Sequence, residues 1–250
     1  MVAIRIIGDP ILQKPGRLFP EKPSAEEKRE LERQKEIATQ LLISSGGAGI
    51  AANQCAAIAE PYQLIIVGVY HNNAIHAAGV EKRYPGVSFP EARLMINPKL
   101  VHSSTEGLRF YHGCLSVPGK LRGEMKTPRE ITVDYLTLNT EGELRPEKAT
   151  FSELQAVVLQ HELNHILFGK TYFDCCVADL KVGDKQALVQ VLLGQHGQST
   201  QTAVKEQDFY RFIRLGEDGS SELDLEVLKE ALEAAVTKET LGGLLRQCQV

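Results

Sequence analysis

The segment His161-Glu162-Leu163-Asn164-His165 constrains this chain more than any other part of it. Histidines four residues apart on a helix lie on one face and can grip one metal ion, and the glutamate beside the first is placed to act on water. The flanking pattern predicts that helix. Leu154, Val157, Val158, His161 and His165 recur at helical spacing, Thr150 and Glu153 read as a capping box, and Gly169 supplies a stop. Both histidines fall on the apolar stripe and should point into the protein. Two core histidines are the bland alternative, and the intervening Glu162 on the shared face weighs against it.

Two histidines do not complete a catalytic metal site, which needs three protein ligands and an open position. A metzincin spacing would place a third histidine just downstream, but none follows until His196. Asp174 and Asp179 are downstream carboxylate candidates. The five cysteines, Cys55, Cys114, Cys175, Cys176 and Cys248, are odd in number and lack the regular spacing of a secreted disulfide scaffold. They read as reduced thiols, of which at least one is available to bind metal as a thiolate.

The rest of the chain sets the context for that helix. At 250 residues and 43% hydrophobic, the chain can bury a real core, and the length suits one catalytic domain plus an appendage. A formal net charge of -4, with lysines and arginines scattered among acids, leaves no basic stripe, so direct nucleic-acid binding is not indicated. No apolar run approaches the roughly 18 residues that span a bilayer, and Met1 runs into Val2-Ala3-Ile4-Arg5-Ile6-Ile7 without a signal-peptide layout. The expectation is a cytoplasmic protein with no membrane partner.

Along the chain, Gly8-Asp9-Pro10 marks a turn, and Ser24 with Glu27 fits a capping box for a charged amphipathic helix. Leu31, Ile37, Leu41 and Leu42 should form its buried face, and Ser44-Ser45-Gly46-Gly47 should end it. Between about residues 63 and 150 short β-type runs dominate, at 63–70, 93–97 and 131–136, separated by Pro, Gly and Asn clusters. The predicted class is α+β: mixed or antiparallel strands packed around a central metal-binding helix, with a C-terminal helical extension. The boundary falls near residue 180, giving a catalytic domain over 1–180 and an extension over 181–250. Helical patterns in the latter run from Leu223 to Leu232 and on to Leu245.

Three separated motifs carry a family resemblance: Gly47-Ala48-Gly49-Ile50-Ala51-Ala52-Asn53-Gln54, Gly113-Cys114-Leu115-Ser116, and the His-Glu-x-x-His helix. In this order they resemble the peptide deformylases, and Ile7-Gly8-Asp9-Pro10-Ile11-Leu12 resembles that family's opening. Three motifs in order are far more specific than any one short pattern. The resemblance implies a hydrolase that removes the formyl group from nascent formylated polypeptides, with Cys114 as third metal ligand beside His161 and His165. It implies one divalent metal ion, Fe(II) physiologically, with zinc, nickel or cobalt open in purified protein because the donor set suits all of them.

By the same resemblance Glu162 is the base that turns acid, while the Gln54 amide and the Leu115 N–H are donors to the developing oxyanion. A substrate main chain would run past Gly47, Gly49, Ile50, His112 and Gly113, bound as an extended strand. Val157 and Val158 are candidates to line the pocket for the first residue. The chain departs from the family at His112, usually glutamate, and at Asn164, usually aspartate. Each change removes a negative charge near the metal. His112, two residues from Cys114, is then either a hydrogen-bonded structural histidine, the commoner case, or an extra ligand. The rival readings are a zinc peptidase that does not need Cys114, and a degenerate deformylase-like protein that binds N-termini without cleaving them. The C-terminal extension is open to three roles: a pad on the core, a dimer contact, or a contact with the ribosome.

Overall fold

The structure, a computed structural model, describes residues 3–117, 122–176, 213–215 and 221–223. It divides into two units, one made of Met1–Leu108 and Thr127–Lys170, the other of Arg109–Lys126 and Thr171–Val250.

The first unit is built on a five-stranded antiparallel sheet. Its strands are β1 (Gly49–Ala51), β2 (Leu64–Val67), β3 (Arg93–Ser103), β6 (Glu130–Leu138) and β7 (Leu144–Ser152), in the order β1-β2-β3-β6-β7. Among the described residues of this unit, parallel pairing is confined to isolated bridges such as Arg17 with Tyr62. Three helices accompany the sheet: α1 (Ala25–Ser45), α2 (Ala74–Arg83) and α3 (Glu153–Phe168). All four residues of β2 are buried, so both of its faces are covered, and α1 and α3 each pack on it. That explains why β2 is a continuous apolar run while β6 alternates, with Ile131, Val133 and Tyr135 inward. β3 and β6 lose register between Ile96 and Lys99, where Asn97 takes a positive φ of 50°. The Asn97 side chain fixes this bulge by accepting from the Phe19 N–H and donating to the Phe19 carbonyl, at 2.9 and 2.7 Å.

The α1 expectation holds at both ends. Ser24 and Glu27 form the reciprocal capping box, and Gly46 closes the helix in the left-handed region at φ 62°. Its buried face is Leu31, Gln34, Ala38, Leu41 and Leu42, while Ile37 is only half-buried. The α3 start differs from expectation. Thr150 is still in β7, where its hydroxyl bonds that of Thr132 at 2.9 Å, and the helix begins after Ser152. The entry is fixed by tertiary contacts instead: the Glu153 N–H donates to the Arg129 carbonyl, and the Glu153 carboxylate pairs with the Arg129 guanidinium at 2.6 Å. Helix α2 interrupts a stretch that reads as β-type in sequence; Asn73 caps it by accepting from the His76 N–H at 3.0 Å.

Gly169 ends α3 at φ 60°, donating to the carbonyls of Asn164 and His165. A Cβ there would lie 2.4 Å from the Gln13 carbonyl carbon and 2.5 Å from the Lys14 nitrogen, so position 169 needs both a positive φ and the absence of a side chain. Gly169→Ala is expected to lower stability by about 3 kcal/mol, from left-handed strain plus a clash with backbone that cannot swing aside. The urea midpoint checks this, and a loss under about 1 kcal/mol would show that the 13–14 segment yields easily.

In the second unit the greater part of the two-stranded sheet of β4 (Gly107–Gly113) and β5 (Arg122–Pro128) is joined by α4 (Tyr172–Cys176). It also holds an antiparallel pair of β8 (Ile213–Leu215) with β9 (Ser221–Leu223), in the register Ile213 to Leu223. The C-terminal extension was expected to be helical, and these described parts of it are strand. Both three-residue runs alternate with period two, and of the helical pattern from Leu223 to Leu232 only Leu223 is among the described residues. The rest of 181–250, including the helical pattern to Leu245, lies outside the described residues. No helix among the described residues is long and apolar enough to cross a membrane.

Candidate active site

Helix α3 delivers His161, Glu162 and His165 from one segment of 16 residues. The two imidazoles stack edge to face with centroids 5.0 Å apart, as the four-residue spacing requires. The carbonyl of His165 accepts from Gly169 N–H at 3.1 Å and from the Asn53 side-chain amide at 2.6 Å, which ties the end of the helix to the turn that carries Gln54. Burial holds the His165 imidazole down to about 3, so it is neutral, the form that ligates metals.

Glu162 is only 4% exposed, and burial pushes its carboxyl up to about 8. Its Oε2 is buried and finds no hydrogen-bond partner among the described residues. A carboxyl in such surroundings is poised to exchange a proton near neutrality. Its position depends on Gly49: a Cβ there would stand 2.6 Å from Glu162 Oε1 and 2.8 Å from its Cγ. The glycine expected to allow close approach of a substrate therefore first allows close approach of the Glu162 carboxyl.

Gln54 ends a 3-10 turn, Ala52–Gln54, and is 2% exposed. Its Oε1 accepts from the Ala51 N–H at 2.9 Å, which fixes the amide so that its NH₂ end is the donor presented away from β1. The turn itself is clamped by Arg5. This buried guanidinium donates to the carbonyls of Asn53 at 3.2 Å, Cys55, Ala56 at 3.2 Å and Ile58 at 2.6 Å, and pairs with Asp9 at 3.4 Å. Sequence reasoning passed over both Arg5 and Asn53. The available signal was a charge inside the apolar run Ile4-Arg5-Ile6-Ile7, since a buried charge needs partners.

Gly47, Gly49 and Ile50 lie at and just before β1, an edge strand whose one described neighbour is β2. Ala51 turns its N–H to Gln54, so the alternate residue Gly49 presents its backbone to the same free edge. The opposite edge, β7, is guarded by Pro146, Arg145, Glu147 and Lys148, whereas Gly-Ile-Ala carries no such protection.

In the second unit β4 ends at Gly113, so Cys114 stands one residue past the strand that carries His112 and does not share a strand face with it. Cys114 opens a turn: its carbonyl accepts from the Val117 N–H at 3.2 Å, and its Sγ accepts from the Ser116 N–H at 3.4 Å. Leu115 lies in that turn, half-buried. His112 is 4% exposed, packs edge-on to Phe110 at 5.8 Å, and is pushed down to about 4 by burial. Asn164 is half-buried on α3 and uses its carbonyl to close the helix.

The Cys114 sulfur and the ring nitrogens of His161 and His165 all lie within 4.8 Å of one another, a Cys/His/His group that could hold a metal ion. Donors sharing one tetrahedral ion at usual Zn–N and Zn–S lengths stand about 3.4–3.6 Å apart. His112 is not in the group. The downstream alternative Asp174 is committed elsewhere, its Oδ2 accepting from the Thr171 N–H and hydroxyl at 2.7 and 2.8 Å; Asp179 lies outside the described residues. Cys55, Cys114 and Cys175 are not in disulfides.

Known proteins share both sequence and fold with this chain. Peptide deformylase 2 of Nostoc sp. is 37% identical over 130 residues, 52% of this chain and 62% of that protein, so the chain spans less than two thirds of that relative's length. The crystal structure of a probable peptide deformylase from a Synechococcus phage matches with a TM-score of 0.52 and 27% identity, over 70% of this chain and 99% of that one. A class I type b peptide deformylase from Acinetobacter baumannii, crystallised with Met-Ala-Ser bound, matches with a TM-score of 0.54 and 28% identity, over 70% and 98% of the two chains. A family model described as polypeptide deformylase matches residues 1–181, and with the three motifs, the antiparallel fold and the Cys/His/His group in agreement, the chain belongs to that family.

Proposed function

We propose that this chain is a metal-dependent hydrolase that removes the N-formyl group from the terminal formyl-methionine of newly synthesised polypeptides. The observation that carries the reading is Glu162: a buried carboxyl with an unbonded Oε2, one residue from His161 and three from His165. Cys114, His161 and His165 would hold the metal, whose Lewis acidity supplies an activated water near pH 7 and polarises the formyl group. Ferrous iron is the expected ion, with zinc, nickel or cobalt able to occupy the same donors.

The chain's own groups do the rest. Glu162 takes a proton from the attacking water and returns it to the departing amide nitrogen as the C–N bond breaks, releasing formate and a free amine. The Gln54 NH₂ and the Leu115 N–H donate to the oxygen that gains charge on the formyl carbon. The peptide lies extended along the β1 edge beside Gly47, Gly49 and Ile50, with His112 and Gly113 as further contacts. Main-chain pairing of this kind accepts many sequences after the first residue. Buried Val157 and Val158 are the proposed lining for the methionine side chain. The Met-Ala-Ser held by the Acinetobacter relative has the form of the deformylated product, which supports this substrate class.

The catalytic part is proposed to end near residue 180, in line with a family match that ends at 181. Residues 181–250 are proposed as a pad on that part, and cytoplasmic action on nascent chains follows from the substrate. The test is direct. Full-length protein loaded with Fe(II) without oxygen should release formate from formyl-Met-Ala-Ser and leave unformylated Met-Ala-Ser intact; no formate, or cleavage of the internal peptide bonds, overturns the reading.

Gly49→Ala probes the same carboxyl from its neighbour. The added methyl meets Glu162 at Cγ as well as at the oxygen, so the whole side chain must swing away. Formate release is expected to fall about 10²-fold with little change in urea midpoint, since misplacing a catalytic group by about 1 Å costs that much. Pairing it with the shorter Glu162→Asp should be less damaging than the product of the two single losses.

A further inference from the structure

The Gly46-Gly47 segment that leads into β1 is gripped from the side by α2, and the grip centres on His76. His76 is fully buried at 0% exposure. Its Nδ1 accepts from the Tyr70 N–H at 3.1 Å, which makes Nε2 the protonated nitrogen, and Nε2 donates to the Gly47 carbonyl at 2.8 Å. Backbones touch alongside: a Cβ on Gly79 would lie 2.9 Å from Gly46 Cα, and one on Gly46 would lie 3.0 Å from Gly79 Cα. At the far end of α2, Arg83 donates to the Ser45 carbonyl at 2.9 Å. Two carbonyls of the segment, at 45 and 47, are thus taken by one helix, and the Ala48 carbonyl accepts from the N–H of Gly68, one residue past β2, at 2.9 Å. The glycines lend this stretch no stiffness of their own. Its conformation is imposed by α2.

We propose that His76 is a positioning residue for the peptide-binding edge: by capping the Gly47 carbonyl it sets the main chain of Gly47–Ile50 against which an extended formylated peptide pairs. The inference rests on the deformylase reading. It makes α2 a determinant of how tightly the peptide beyond methionine is held, with no part in the chemistry at the formyl carbon.

Two variants separate the role from general stability. In His76→Asn the side chain keeps an acceptor for the Tyr70 N–H but is too short to reach Gly47, while His76→Gln keeps a donor at the Nε2 position. In the metal-loaded full-length protein, His76→Asn should raise KM for formyl-Met-Ala-Ser about tenfold, one hydrogen bond's worth of uniform binding, with kcat unchanged. The kcat/KM for formyl-Met alone, which has no chain to lay on the edge, should stay near wild type, and His76→Gln should recover most of the KM. Amide exchange over Gly47–Ala51 should quicken in the Asn variant and not in the Gln variant. Equal losses on both substrates, a fall in kcat with KM unchanged, or unaltered exchange overturn the proposal. A wild-type protein that exchanges as described but releases no formate overturns the deformylase reading, and with it the substrate role of His76, while leaving the grip on Gly47 established.

Discussion

Glu162→Gln is expected to lower formate release by about 10³-fold or more, because in the proposed function one carboxyl serves as base and then as acid and general acid–base catalysis alone is worth roughly 10²–10⁴. Glutamine is the right probe. It has the same shape, so it fits beside Gly49 where nothing larger would, and it carries no charge for burial to penalise. The metal content per chain should therefore match wild type and the protein should remain folded. A loss smaller than about tenfold, with metal retained, would assign the proton transfers to another group.

The sequence disclosed the local half of this site. Periodicity and stop chemistry located α3 from Leu154 to Gly169, because helical spacing and a left-handed C-cap are short-range properties. The Ser24 box was readable for the same reason. The start of α3 was not, since Thr150 and Ser152 are equally good caps on paper and the choice is made by Arg129 and by the β6 partner of Thr150. Helix α2 was hidden in a region of strand-like runs, its start marked by one asparagine.

Distant approaches were legible only through family likeness or not at all. Gly49 against Glu162 and Asn53 against the His165 carbonyl join residues over a hundred positions apart, and no pattern in a single chain encodes such pairs. Cys114 enters the ligand set by resemblance, and its sulfur lies within 4.8 Å of the ring nitrogens of His161 and His165. His112 is the instructive departure. Where the resemblance implies an acid, this chain buries His112 against Phe110, outside the Cys/His/His group.

Cys114→Ser is expected to empty the site. A serine hydroxyl does not ionise near neutrality and is a poor substitute for a thiolate, and two imidazoles from one helix cannot by themselves complete a catalytic set. Changes to groups that merely orient ligands cost about 10–100-fold in affinity, so removal of a ligand should cost at least about 10². Metal per chain, measured after dialysis against a chelator that leaves wild type loaded, should fall close to zero, and formate release should fall with it. Asp174→Asn is the matched control. Its carboxylate is engaged by Thr171 at the start of α4, so the variant should keep its metal even if α4 is weakened. A peptidase that used a downstream carboxylate would give the reverse pattern, losing metal at Asp174 and keeping it at Cys114. The pair of measurements therefore decides between a helix motif completed from upstream and one completed from downstream, which is the difference between this family's chemistry and that of a generic zinc peptidase.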